Sequence, residues 1–142
     1  MMQELLKGCL YFTANQLARE AGKLAEEEFR KIGLSPTYAF LILVVKEQPR
    51  ITLTELSSIL HIAPSTGTRF VDKLIVKGLV DRKTEGKLAK VTLTEKGLQL
   101  HDEIQACWDR LYDRYSAIFG KEEGDALTET VLKASETLRK AE

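Results

Sequence analysis

The stretch "TLTELSSILHIAPSTGTRFVDKLIVKGLVDR", residues 52–82, carries the strongest structural signals of this chain. It begins with a capping box, in which the side chains of Thr52 and Glu55 bind the free amide groups that start a helix. A three-residue turn, "HIA", separates this helix from a second helix that begins at Pro64 and ends at Gly78. Two short helices joined by a tight turn predict a helix-turn-helix unit.

The second helix of this unit has two chemically different faces over residues 64–77. Its inward face is predicted to consist of Gly67, Phe70, Val71 and Leu74. Its outward face carries short polar and charged side chains, namely Ser65, Thr68, Arg69, Asp72 and Lys73. A helix with such an outward face can enter the major groove of DNA and present hydrogen-bond donors to the base edges.

The pattern changes after Gly78 from the period of a helix to the alternation of β strands. "LVDRK" and "AKVTLT" are two β-like runs, and in the second run Val91 and Leu93 alternate with polar residues. Gly86 lies at the bend between the runs and has lysines around it, so the hairpin has a basic tip. The predicted fold class is therefore mainly α with a small β-hairpin, a winged helix-turn-helix with long N- and C-terminal dimerisation helices.

Amphipathic helices are predicted on both sides of this lobe. One long helix is expected over residues 4–31, and a shorter one begins at Ser35 and stops at Pro49. After the hairpin, a helix capped by Thr94 is expected to run to about residue 119, and a last helix to cover about residues 122–140.

Apolar stripes on these terminal helices predict a second copy of the chain, because a half-apolar helix needs a partner surface. The stripes contain Leu6, Leu10, Leu127, Val131 and Leu138. We therefore divide the chain, as one structural domain, into an N-terminal dimerisation helix (1–34), a DNA-binding lobe (35–95) and C-terminal dimerisation helices (96–142).

The formal net charge is zero, but positive and negative residues are segregated along the chain. Residues 69–90 contain seven basic and three acidic residues, a net of +4, whereas residues 102–142 contain six basic and ten acidic residues, a net of −4. Because a binding surface responds to the local potential, a neutral chain can still present a DNA-binding patch. A solvated charged face remains the alternative interpretation of these counts.

Several classes of function are disfavoured by the sequence. The composition, 44% hydrophobic and 30% charged, is that of a soluble globular protein, and the longest apolar run has eight residues, too few to span a bilayer. A glycine-rich phosphate loop, G-x-S-x-G, H-E-x-x-H and zinc-ligand spacings are missing, and there are only two histidines. Since these motifs are missing, we expect a protein that is not an enzyme and needs no cofactor or metal. The start "MMQELLKG" does not resemble a signal peptide, so we expect a cytoplasmic protein.

Residues 52–97 resemble the MarR (multiple antibiotic resistance regulator) family of bacterial and archaeal repressors. The segments "VDKL…KGLVDR" and "VTLTEKG" carry the resemblance, because both occur in the order and separation of that family. It extends in outline over the whole chain, since the family builds its dimer from long flanking helices. The resemblance implies a homodimer on palindromic double-stranded operator DNA, often released by a small aromatic or phenolic effector or by oxidation.

The resemblance places the recognition helix on residues 64–77 and the wing on residues 80–93. The implied DNA contacts are Pro64, Ser65, Thr66, Thr68, Arg69 and Lys73 on the helix and Lys83, Lys87 and Lys90 on the wing. At the wing tip the family has an acidic residue two positions before an arginine, and these positions are Glu85 and Lys87 here. Lysine suits a narrow minor groove less well than arginine, so we expect the wing to contact the DNA backbone.

Gly67 is a second departure, because the family commonly has a branched apolar residue there. A glycine inside a helix costs up to about 1 kcal/mol relative to alanine. Either a bend of the recognition helix or closer packing would explain it, and the sequence leaves both open.

Two modes of control are compatible with the sequence. Phe12, Tyr38, Phe40 and Trp108 are candidates to line a ligand pocket where the dimer helices meet the DNA-binding lobe, and a plain core position is the alternative for each.

The second mode is redox sensing by Cys9 and Cys107. One MarR subgroup senses organic hydroperoxides with a cysteine near the start of this first helix, and Cys107 is a candidate to pair with it from the other subunit. That subgroup has tyrosines at the positions of Pro36 and Ala39, and a buried cysteine commonly serves as a small apolar residue. A winged-helix module that binds proteins rather than DNA is a further alternative.

Overall fold

A computed structural model describes Met1–Ala141, in which there are seven helices and three strands. The helices are α1 (Met2–Lys7), α2 (Leu10–Arg30), α3 (Pro36–Glu47), α4 (Leu53–Ile59), α5 (Pro64–Val76), α6 (Glu95–Phe119) and α7 (Lys121–Lys140). The strands β1 (Ile51–Thr52), β2 (Val80–Glu85) and β3 (Leu88–Leu93) form one antiparallel sheet in the order β1-β3-β2. The expected fold class, mainly helical with a small β element, is confirmed.

The N-terminal helix differs from the single helix expected over residues 4–31. The backbone amides of Gly8 and Cys9 donate to the carbonyls of Leu5 and Leu6, at 3.2 and 3.0 Å, and these short-range bonds close α1. Cys9 then has an extended backbone (φ −98°, ψ 118°) and serves as the N-cap of α2. Glycine has a low helix propensity, but the apolar stripe continues across the break, so hydrophobic periodicity did not reveal it.

Strand β1 adds a third strand that the sequence did not predict. Ile51 pairs with Val91 and Thr52 pairs with Lys90, on the free edge of β3. Two residues are too few to show the alternation that identifies a strand. Thr52 also keeps its predicted role, since its hydroxyl accepts a hydrogen bond from the Glu55 amide at 3.1 Å and caps α4.

Helices α4 and α5 approach closely because residue 67 is glycine. A Cβ atom at Gly67 would lie 2.1 Å from Ser57 Oγ and 3.2 Å from Ser57 Cβ. Ser57 is 1% exposed, and its hydroxyl donates to the Leu53 carbonyl at 3.0 Å, which ties it to α4. Of the two explanations that the sequence left open for Gly67, the structure shows close packing.

The two segments that resemble the MarR family meet in one joint. Gly78 has φ +76° and ends the turn after α5, where its carbonyl accepts a hydrogen bond from Thr94 Oγ1 at 2.6 Å. The same Thr94 oxygen accepts from the Gly97 amide at 3.1 Å and caps α6. A Cβ at Gly97 would lie 2.2 Å from the Leu79 carbonyl oxygen. This joint connects the recognition helix, the wing and the start of α6.

Contacts divide the chain into two compact units, Met1–Cys107 and a second unit that starts at Trp108. In the second unit, Asp125 accepts hydrogen bonds from the Tyr112 hydroxyl at 2.8 Å and from Lys121 Nζ at 3.1 Å. These bonds lower the pKa of Asp125 and fasten the first turn of α7 to α6. No helix within Met1–Ala141 has both the length and the apolar character needed to cross a bilayer.

Candidate nucleic-acid interface

The first two turns of α5 present a group of polar side chains. Pro64, at the first helical position, and Ser65 are exposed. Arg69 is also exposed, and its Nη2 atom donates to Thr66 Oγ1 at 3.4 Å. Thr68 donates its hydroxyl hydrogen to the Pro64 carbonyl at 3.1 Å, so this hydroxyl can still accept a hydrogen bond from a base.

The inward face of α5 has the composition expected for it. Gly67, Val71 and Leu74 are buried, and Phe70 is half-buried with its ring edge-to-face against Tyr38, the centroids 4.7 Å apart. This packing fixes the rotation of α5 about its own axis. The polar residues of the opposite face are therefore held toward solvent.

An ion pair joins the recognition helix to the wing. Arg82 Nη1 in β2 donates to Asp72 Oδ1 in α5 at 2.6 Å. Exposed ion pairs contribute up to about 1 kcal/mol to stability, so the effect of this pair is mainly geometric. Both residues belong to the charged segment 69–90, but the sequence does not predict that they form a pair, because the pair depends on how β2 packs against α5. Lys73, next to Asp72, is exposed.

The wing carries three lysines, of which one lies near a carboxylate. Lys83 and Lys90 lie directly opposite each other in the β2–β3 pair, so their side chains share a face of the sheet. Glu85 lies on the same face, and its Oε2 atom is 3.4 Å from Lys90 Nζ. Lys87 is exposed in the two-residue turn beside Gly86, which has φ +62° as the turn requires.

Glu85 has a second cationic partner that the sequence did not single out. Nη2 of Arg50 lies 2.5 Å from both carboxylate oxygens of Glu85, although the two residues are 35 positions apart. The hydrogen bond from Arg50 is the main reason that the pKa of Glu85 lies below its usual value. The pairing depends on strand β1, which brings residue 50 to the edge of the sheet, and no local sequence signal reports it.

The four aromatic candidates for a ligand pocket lie in different surroundings. Tyr38 is half-buried against Phe70, and Phe40 is half-buried with its ring 5.5 Å from that of Phe29. Phe12 on α2 is 37% exposed, and Trp108, the first residue of the second unit, is 46% exposed.

A pocket of about 580 Å³ in the first unit has other walls. It lies between the end of α2, the end of α5 and the start of α6, and its lining includes Leu34, Val76, Lys77, Leu79, Lys96 and Leu100. The four aromatic candidates do not line this pocket.

The two cysteines differ in exposure. Cys9 is exposed at the N-cap of α2, and Cys107 is buried, with its thiol donating to the Glu28 carbonyl at 3.4 Å. Over the described part of the chain, no group of three or more His, Cys, Asp or Glu residues is placed to hold a metal ion.

Residues 34–85, which run from two positions before α3 to the end of β2, match the sequence model of the MarR family. The segment that contains α3, α4 and α5 is therefore similar to the MarR family. A curated relative, the riboflavin kinase of Thermococcus kodakarensis, is 38% identical over 55 residues, which are 39% of this chain and 26% of the kinase. The chain spans about a quarter of the length of that enzyme.

Solved structures extend the MarR fold over nearly the whole chain. The transcriptional repressor CouR bound to a 23-mer DNA duplex superposes with a TM-score of 0.85 at 20% identity, covering 95% of this chain and 97% of CouR. CouR bound to p-coumaroyl-CoA gives a TM-score of 0.83 at 20% identity and covers 92% and 94%. A MarR transcriptional regulator from Methanosarcina mazei Go1 gives 0.75 at 20% identity and covers 92% and 89%. At this identity the likeness establishes a common fold.

Proposed function

We propose that the protein is a homodimeric transcriptional regulator, a repressor, that binds palindromic double-stranded operator DNA through recognition helix α5 and the wing β2–β3. The observation that carries this proposal is that, in the part of the chain that the structure describes, exposed lysines on α5 and on the wing have no acidic partner. Asp72 and Glu85 are already bound to arginines. Within Met1–Ala141, Lys73, Lys83 and Lys87 form no ion pair with a carboxylate, so they are available to an external anion.

Affinity and specificity come from different parts of this surface. Lysines that neutralise phosphates release counterions, which makes binding strong at low salt and independent of sequence. The short side chains Ser65, Thr66 and Thr68 and the guanidinium of Arg69 contact base edges in the major groove, where each base pair presents its own pattern of donors and acceptors. Arg69 is the group with the most donors, and its bond to Thr66 holds it beside the helix.

Dimerisation is supported by apolar side chains that the single chain leaves exposed. Leu10 is 63% exposed, Leu138 is 59% exposed and Val131 is 43% exposed. A second copy that covers these residues places two recognition helices about a twofold axis, so that they read half-sites about one helical turn apart. A bound small aromatic or phenolic effector that changes this spacing releases one half-site. CouR, which is similar in fold, has been solved with p-coumaroyl-CoA bound.

The decisive experiment measures binding to duplex DNA by fluorescence anisotropy over a salt series, first with random sequence and then with operators selected from a random library. We expect a steep loss of affinity with salt. Arg69→Ala should abolish the preference for the selected operator while the protein stays a folded dimer. Arg30→Ala, which removes the same charge from the exposed end of α2, is the matched control.

Two results would contradict the proposal. Unchanged operator affinity in Arg69→Ala would exclude α5 as the recognition helix. Negligible binding of the wild-type protein to any duplex at low salt would favour the alternative function, a winged-helix module that binds another protein.

A further inference from the structure

Arg50 occupies a backbone conformation that arginine rarely adopts. Its φ angle is +67°, in the left-handed region that favours glycine and asparagine. Its amide donates to the Val91 carbonyl at 3.1 Å, so the residue is held at the edge of β3 and does not belong to a loose loop. This backbone conformation is unfavourable for a residue with a long side chain. We therefore infer that the guanidinium of Arg50 has a role of its own.

The side chain of Arg50 reaches the exposed face of the wing. Thr52 and Lys83 both pair with Lys90 in the sheet, so these three side chains share one face, and Glu85 lies on it as well. There, Arg50 Nη2 donates to both carboxylate oxygens of Glu85. Three cations and one carboxylate therefore lie together next to the basic turn.

Glu85 acts on two cations at once. Its two carboxylate oxygens both accept from Arg50 Nη2, and its Oε2 atom lies 3.4 Å from Lys90 Nζ. Arg50 stays 58% exposed and Glu85 43% exposed, so an incoming anion can reach the pair. A DNA phosphate also offers a guanidinium two acceptor oxygens, and it can take the place of the carboxylate.

We propose that Arg50 is a further phosphate contact, so that the DNA-binding surface extends from the wing onto the start of β1, and that Glu85 competes with the DNA backbone for this arginine. This inference rests on the proposed DNA-binding function. It assigns Glu85 a restraining effect: the carboxylate keeps Arg50 ordered in the free protein and weakens sequence-independent binding.

The test compares variants in the anisotropy assay with random duplex DNA over a salt series. Arg50→Asn removes the charge and keeps a residue that tolerates positive φ, so the fold is retained, which thermal unfolding checks. We expect severalfold weaker binding and a salt slope smaller by about 0.9, the value for one phosphate contact. Arg50→Lys should keep the slope, and Arg30→Asn is the control for charge outside the lobe.

Glu85→Gln should bind random duplex severalfold more tightly than the wild type. The gain in affinity from Glu85→Gln should be smaller when Arg50 is already replaced by Asn, because the arginine that Glu85 holds is then absent. Asp81→Asn, the same charge change at an exposed position of β2, is the matched control and should have the smaller effect.

Each outcome separates this inference from the function on which it rests. If the wild type binds DNA but Arg50→Asn behaves like Arg30→Asn, Arg50 makes no phosphate contact and the inference is wrong while the proposed function stands. If Glu85→Gln weakens binding, Glu85 positions the wing and does not compete with DNA. If the wild type binds no duplex at low salt, both proposals fail together.

Discussion

At the scale of single residues, the absence of a side chain at Gly67 allows α5 to pack closely against α4. We expect Gly67→Ala to lower the free energy of unfolding by about 1–3 kcal/mol, because the new Cβ overpacks the contact with Ser57. Gly22→Ala in α2 is the control, since a Cβ there meets nothing within 4 Å, and it should raise stability by up to about 1 kcal/mol. Urea unfolding of both variants measures the difference.

The partner of Gly67 provides an independent check. In a background of Ser57→Gly, both atoms that crowd the new Cβ are gone, so Gly67→Ala should lose most of its cost. If Gly67→Ala lowers the free energy of unfolding equally in the wild type and in Ser57→Gly, the contact with Ser57 does not explain why residue 67 is glycine.

At the scale of elements, the wing and the recognition helix are expected to contribute differently to DNA binding. Lys87→Ala should weaken binding to all duplex sequences by similar factors and lower the salt slope by about 0.9. Lys46→Ala, at an exposed position of α3, is the control. Anisotropy titrations with selected and random duplexes measure both quantities, and a changed sequence preference in Lys87→Ala would show that the wing reads bases.

The start of α6 depends on one hydroxyl. Thr94→Val removes the bond to the Gly97 amide and the bond to the Gly78 carbonyl, so we expect a loss of about 1–2 kcal/mol in the free energy of unfolding. Thr54→Val on the exposed face of α4 is the control and should change stability by less than about 0.5 kcal/mol. If both variants unfold at the same urea concentration, the joint between wing and α6 is held by packing alone.

Most elements could be predicted from local chemistry. The caps at Thr52 and Thr94 and the glycines at 78 and 86 lie where the structure has them, because a cap or a turn is decided within a few residues. The break at Gly8 and the short strand β1 were missed. The first is hidden by a continuous apolar stripe, and the second exists only because β3 offers it a free edge.

At the scale of the whole molecule, the exposed apolar residues of the terminal helices predict a concentration-dependent assembly. Val131→Glu introduces a charge into the apolar stripe of α7 and should shift the protein toward a monomer in light scattering. Thr130→Glu places the same charge at the neighbouring exposed residue and should leave a dimer. The wild-type melting temperature should rise with protein concentration, and a monomeric wild type would contradict the dimer.

Local sequence patterns predict the helix-turn-helix, the hairpin and the basic segment, because periodicity, caps and turn residues act over short distances. The partners of the charged residues depend instead on how distant segments pack. Asp72 with Arg82 and Glu85 with Arg50 are 10 and 35 positions apart, and the packing of α5 and β1 on the hairpin brings them together. The same packing explains Gly67, since a close approach depends on the opposite surface, here Ser57, and that neighbour is chosen by the fold.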